Sequence, residues 1–113
     1  MQKPNILVVC GRNKRRSRTA EEIFKHDSRF YIRSVGLSPR SRRVISGKDV
    51  LWADLILVME DEQKAKLLQL HPQVVQAKVE VLHIPDEYEC MDGELIEILQ
   101  KSIEGVLLEI FRL

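Results

Sequence analysis

The chain has 113 residues, 44% hydrophobic and 31% charged, with 5 Gly and 4 Pro. That length suits a single domain over residues 1–113, and the balance excludes a disordered, collagen-like or low-complexity chain. No apolar run approaches the ~20 residues that span a bilayer, and Ile6 to Val9 is too short for a secretory signal, so a cytoplasmic chain with no membrane partner is expected.

Ile6-Leu7-Val8-Val9 is a continuous apolar run of the kind buried on both faces of a sheet, and it predicts a first strand. A loop over Gly11–Ser17 follows. Ala20, Ile23 and Phe24 then fall at i, i+3, i+4 and predict a short amphipathic helix, with Glu21 and Glu22 as acids near its N-terminus. Phe30 to Val35 reads as a second strand ending at Gly36, and a basic loop, Ser38-Pro39-Arg40-Ser41-Arg42-Arg43, comes next. After a weak helical stretch reaching Trp52-Ala53, Leu55 to Met59 reads as a third strand, Asp61–Leu70 as a helix and Val79 to Ile84 as a fourth strand ended by Pro85. Leu95, Leu99, Ile103, Val106 and Ile110 mark one face of a long C-terminal helix.

This alternation predicts an α/β fold with a four-stranded parallel sheet flanked by helices in three layers. Ligands of such sheets bind beyond the carboxyl ends of the strands, at the switch point, which is where the loop after Cys10 would lie.

Charge is unevenly distributed. Residues 1–43 carry 12 Lys/Arg against 3 Asp/Glu, and residues 44–113 carry 6 against 14. Such polarity marks a nucleic-acid surface or a small-anion site, unless the two halves neutralise each other in the fold. The first half has few aromatics to stack bases, so no nucleic-acid partner is expected. Cys10 and Cys90 are far apart and His26, His71 and His83 are scattered, so neither a metal site nor a cofactor is expected.

The segment Val8-Val9-Cys10-Gly11-Arg12-Asn13-Lys14-Arg15-Arg16-Ser17 sets a Cys-x5-Arg-Ser pattern between a strand and a helix. Backbone N–H groups wrapped at a helix N-terminus form an anion nest, which suits phosphate. On this reading Gly11, Arg12, Asn13, Lys14, Arg15 and Ser17 are the phosphate-binding loop, and Arg16 grips two phosphate oxygens through its planar guanidinium. The same positive field would favour Cys10 as a thiolate nucleophile. The competing account is a structural cysteine followed by a solvated basic loop.

Cleavage of a phosphate monoester is assisted by an acid that protonates the leaving oxygen. Asp86, after the fourth strand, would share a sheet edge with Cys10; Glu87 and Asp92 are alternatives, and Asp86 could equally be a cap or turn residue. Tyr88 would line the mouth and stack on an aromatic substrate.

These residues resemble the low-molecular-weight protein tyrosine phosphatase family, through Cys10-x5-Arg16-Ser17, Ala20-Glu21, Ser34-Val35-Gly36, Trp52 to Met59 and Asp86-x-Tyr88. The resemblance implies Cys10 as nucleophile, Arg16 as transition-state clamp and Asp86 as general acid and then base. It also implies Asn13 as a brace for the loop and Ser17 as a hydrogen-bond partner of the thiolate, with no metal. The sequence departs from the family pattern in that Gly11 stands one place early, Arg12 takes the usual glycine position, Arg15 replaces a frequent second cysteine and Glu87 replaces a proline. The implied activity is a metal-independent phosphatase acting on phosphotyrosine or aryl phosphates, borne by a phosphorylated protein or a small molecule, and a monomer or weak dimer is expected. The alternatives are a non-catalytic phosphate- or phosphopeptide-binding module and an arsenate reductase.

Overall fold

The computed structural model describes residues 3–113, apart from the side chain of Ala77; Met1 and Gln2 lie outside the described residues. The first strand, β1 (Asn5–Cys10), is central. It pairs in parallel with β2 (Tyr31–Gly36) on one side and with β3 (Leu55–Val58) on the other, and β3 pairs in parallel with β4 (Val79–Val81). The order β2-β1-β3-β4 places the reversal of winding between β1 and β3, so the carboxyl end of β1 opens into the crevice where such sheets bind ligands.

Strand alternation divides the core into two. Ile6, Val8 and Cys10 face a layer built by α1 (Arg16–Phe24) and α4 (Gly93–Phe111), where Ala20, Phe24, Leu95, Leu99, Ile103 and Leu107 are buried. Leu7 and Val9 face the opposite layer, where α2 (Gly47–Trp52) and α3 (Asp61–Leu70) contribute Val50 and Leu67. Each fully buried leucine or isoleucine of these layers contributes about 1.5–3 kcal/mol relative to exposure. The expected α/β architecture is therefore the observed one.

Two element boundaries differ from the sequence reading in ways that bear on the site. β4 ends at Val81 and does not continue to Ile84, because His83 takes a left-handed φ of 56° that breaks the pleat. The segment still tracks β3, with Leu82 N–H donating to Val58 O at 2.8 Å and Ile84 N–H to Met59 O at 3.0 Å, so Asp86 is delivered to the same sheet edge. α1 begins at Arg16, inside the segment read as loop. Glu21 and Glu22 therefore lie in its middle, and its first turn carries no acid. The positive end of the helix dipole is left without an internal counter-charge.

Candidate active site

Cys10 is the last residue of β1 and is buried. The loop that follows is fastened by its carbonyls. Cys10 O accepts from Leu37 N–H at 3.0 Å, Gly11 O from Ser38 N–H at 2.8 Å and Arg12 O from Arg42 N–H at 3.3 Å. Among the described residues, the N–H groups of residues 12–17 donate to no backbone or side-chain acceptor of the fold, and Arg15, at the N-cap of α1, supplies no side-chain cap. A loop held by its oxygens with its donors uncommitted is the arrangement an anion requires.

Asn13 is the one loop residue with a left-handed backbone, φ 51°, a conformation that asparagine tolerates better than most residues. Its buried side chain donates from Nδ2 to Ser17 Oγ at 2.9 Å, and Ser17 Oγ lies 2.9 Å from Cys10 Sγ. Because Ser17 Oγ already accepts from Asn13, its own proton is free to point at the sulfur. Arg12, which stands where the family pattern has glycine, does not have a positive φ. Nor does Gly11, where a Cβ would meet nothing within 4 Å. The left-handed turn is thus made at Asn13, two residues after Gly11.

Arg16 is only 5% exposed. Its Nη1 donates to Glu60 Oε1 at 2.9 Å and to Ile84 O at 2.7 Å, and its Nε lies 3.8 Å from Asp86 Oδ1. A hollow of about 340 Å³ is lined by Cys10, Gly11, Arg12, Lys14, Arg15, Arg16 and Asp86. Four cations thus surround the thiol, and one half-exposed carboxylate stands among them. Arg15 Nη1 is 3.9 Å from the same Asp86 oxygen, and Arg15 Nε is 3.7 Å from Glu89.

The structure places the other named residues elsewhere. Tyr88 does not line this hollow; it packs half-buried against the α1/α4 core layer. Burial, then the carboxylates of Glu94, Glu87 and Asp92, raise its phenol pKa and keep it neutral. Asp92 caps α4, accepting from Glu94 N–H at 2.9 Å, and is committed there; Glu87 is exposed and away from the lining. Both cysteines are free thiols, and Cys90 accepts a long contact from Thr19 Oγ1 at 3.7 Å. Among the described residues no group of three His, Cys, Asp or Glu is placed to hold a metal ion, and no helix is long and apolar enough to cross a membrane.

Two contributors escaped the sequence reading. Glu60 orients Arg16 across 44 positions, and the only local signal was an acid directly after a strand at the switch point. Gly36 allows the loop after β2 to close on the cysteine loop: a Cβ there would lie 2.7 Å from Asn13 N and 2.6 Å from Ser41 Cβ.

No protein-family model matches the sequence, and no curated protein does. Solved structures do resemble it. The low-molecular-weight protein tyrosine phosphatase SP-PTP from Streptococcus pyogenes shares 18% identity over 96% of this chain and 93% of its own, with a TM-score of 0.80. The tyrosine phosphatase Wzb from Escherichia coli K30, in complex with phosphate, shares 19% over 96% and 99%, with a TM-score of 0.75. The chain has the low-molecular-weight tyrosine phosphatase fold. The YwlE arginine phosphatase from Geobacillus stearothermophilus has it as well, at 18% identity over 95% and 97% and a TM-score of 0.65. In this chain the loop is crowded with basic residues, and Arg15 stands against Asp86 and Glu89.

Proposed function

We propose that the chain is a phosphatase that hydrolyses phosphate monoesters through a cysteinyl-phosphate intermediate on Cys10, by a route that uses no metal. The observation that carries this reading is the thiol at the base of a hollow walled by Arg12, Lys14, Arg15 and Arg16, below uncommitted amide donors and beside Asp86.

In the first step Cys10 Sγ attacks phosphorus while the bond to the leaving oxygen breaks, and protonated Asp86 gives its proton to that oxygen. Arg16 and the loop amides hold the three equatorial oxygens, on which charge is spread in the transition state. In the second step a water attacks phosphorus, Asp86 takes its proton, and the sulfur–phosphorus bond breaks to release inorganic phosphate and the thiolate. Ser17 Oγ, 2.9 Å from the sulfur and oriented by Asn13, stabilises the departing anion. The fold neighbours act on tyrosine phosphate or arginine phosphate by name, so a phosphorylated protein side chain or an aryl phosphate is the proposed substrate class. An arsenate-reductase relay has too few thiols here, with only Cys90 beyond the nucleophile.

Purified protein should hydrolyse p-nitrophenyl phosphate in the presence of a chelator, and Cys10→Ser should remove turnover. Activity that survives this substitution would refute the role of Cys10. Asp86→Asn should slow the first step most for poor leaving groups, and equal slowing across leaving groups would exclude it as the acid. Phosphate protection of Cys10 from alkylation without any turnover would establish the binding module instead.

A further inference from the structure

A second hollow of about 340 Å³ lies beside the first, lined by Arg12, Asn13, Lys14, Arg18, Arg40 and Arg42. Five of its six lining residues are cationic and none is acidic or aromatic. It shares Arg12 and Lys14 with the hollow over Cys10, so a group in one is within a side chain's reach of a group in the other. Its cations come from three separate segments: the cysteine loop, the exposed face of α1 and the basic loop after β2.

That convergence is built into the backbone. The basic loop is tied to the cysteine loop by Ser38 N–H to Gly11 O at 2.8 Å, Ser41 Oγ to Gly11 O at 3.2 Å and Arg42 N–H to Arg12 O at 3.3 Å. It is closed at its base by Gly36 N–H to Arg43 O at 2.8 Å and Ile45 N–H to Gly36 O at 3.0 Å. The cations are poorly neutralised from within. Among the described residues, Arg12, Lys14, Arg18 and Arg40 have no carboxylate within 4.0 Å, and Arg42 shares the single carboxylate of Glu21 with Arg43, each at 3.8 Å. Glu22, which feels the charges of Arg18 and Arg42, is exposed and bonded to Lys25 at 2.8 Å. Holding this many like charges together costs stability that Glu21 and Glu22 offset only in part, and an anion in the hollow would offset more. A hollow of this size with four Arg forks suits one phosphoryl group, whereas a strand of nucleic acid needs a longer track and aromatic platforms.

We propose that this hollow is a second anion subsite, which takes a second phosphoryl group of the same substrate whose first phosphoryl group is transferred to Cys10. The substrate class is then a multiply phosphorylated protein segment, with an acidic side chain as the weaker substitute. The identity of the first group rests on the proposed function; the subsite itself does not.

The test uses three peptides with one phosphotyrosine, flanked by neutral residues, by glutamates or by a phosphoserine. Their binding is measured by anisotropy on Cys10→Ser protein, and kcat/KM on the wild type. The flanking phosphoserine should tighten binding by about tenfold, the size of one charge-assisted contact, with glutamate giving less. Arg40→Ala/Arg42→Ala should remove the gain while leaving the neutral peptide and p-nitrophenyl phosphate unchanged. Arg18→Gln, on the exposed face of α1, repeats the test without touching the loop and should reduce the gain. Equal affinity for the neutral and doubly phosphorylated peptides would overturn the proposal, and so would a gain that persists in both variants. Tighter binding of a single-stranded RNA of matched charge would do the same. If turnover of every substrate is absent but the affinity gain and its loss remain, the phosphatase reading fails and the subsite stands.

Discussion

Gly36→Ala tests the closure of the basic loop on the cysteine loop. No glycine in the chain has a positive φ, so alanine can take the backbone conformation at position 36 and only space is perturbed. Its Cβ would stand 2.0 Å from Ser41 Oγ, 2.6 Å from Ser41 Cβ and 2.7 Å from Asn13 N. Carbon contacts are ordinarily about 3.5–4.0 Å, so the two segments must part by about 1 Å. The hydroxyl can swing away, but Ser41 Cβ and Asn13 N move only with their backbones. Overpacking of this kind costs about 1–3 kcal/mol, and parting weakens bonds to the Gly11 and Arg12 carbonyls worth about 1 kcal/mol each. The lower chain entropy of alanine returns about 0.4–1 kcal/mol. The net loss is about 1–3 kcal/mol, read as a fall in Tm of about 5–15 °C for a chain of this size. A shift of 1 Å at Asn13 displaces the proposed phosphate-binding loop, and kcat/KM for p-nitrophenyl phosphate should fall by about 10–100-fold. Adding Ser41→Gly removes two of the three contacts and should recover part of the Tm. Gly36→Ala with the wild-type Tm and wild-type kcat/KM would refute the close-approach argument.

Glu60→Ala should lower stability by about 1–2 kcal/mol, since it strips a buried guanidinium of one partner while Ile84 O remains; the partly exposed carboxylate keeps the loss below that of a fully buried pair. Phosphate should then raise the Tm of this variant more than that of the wild type, and an equal rise in both would show that Glu60 does not compete for Arg16. The Arg29 fork supplies a pH dependence. Its side-chain hydrogen bonds hold Asp27 below its ordinary 3.8 and Glu104 below its ordinary 4.5. Both carboxylates are depressed in the folded state, so their contribution is complete above the unfolded values and is lost as pH falls through the folded ones. Arg29→Met should therefore flatten the fall in urea-unfolding free energy between about pH 5 and 3. An unchanged slope would locate the acid sensitivity elsewhere.

Periodicity and composition carried the architecture. The two-sided apolar runs at Ile6–Val9 and Leu55–Met59 can be satisfied only inside a covered sheet, and the stripe Leu95, Leu99, Ile103 is a helix face whatever it packs on. A cysteine at a strand end before a basic, helix-starting loop was equally visible, because strand, loop and helix are contiguous in the chain. The rest depended on contacts between distant segments, about which local pattern is silent. Nothing near Arg16 tells that Glu60 and the Ile84 carbonyl will hold its Nη1, nor that Gly36 must lack a Cβ for Asn13 to turn beside it. Tyr88 beside an acidic loop reads as a pocket residue, yet it packs half-buried against the core layer that holds α1 and α4. The excess positive charge of the first half is plain in the chain. Its convergence on one hollow is not, because Arg18 reaches it along a helix and Arg40 and Arg42 reach it through hydrogen bonds between the loops that follow the paired strands β1 and β2.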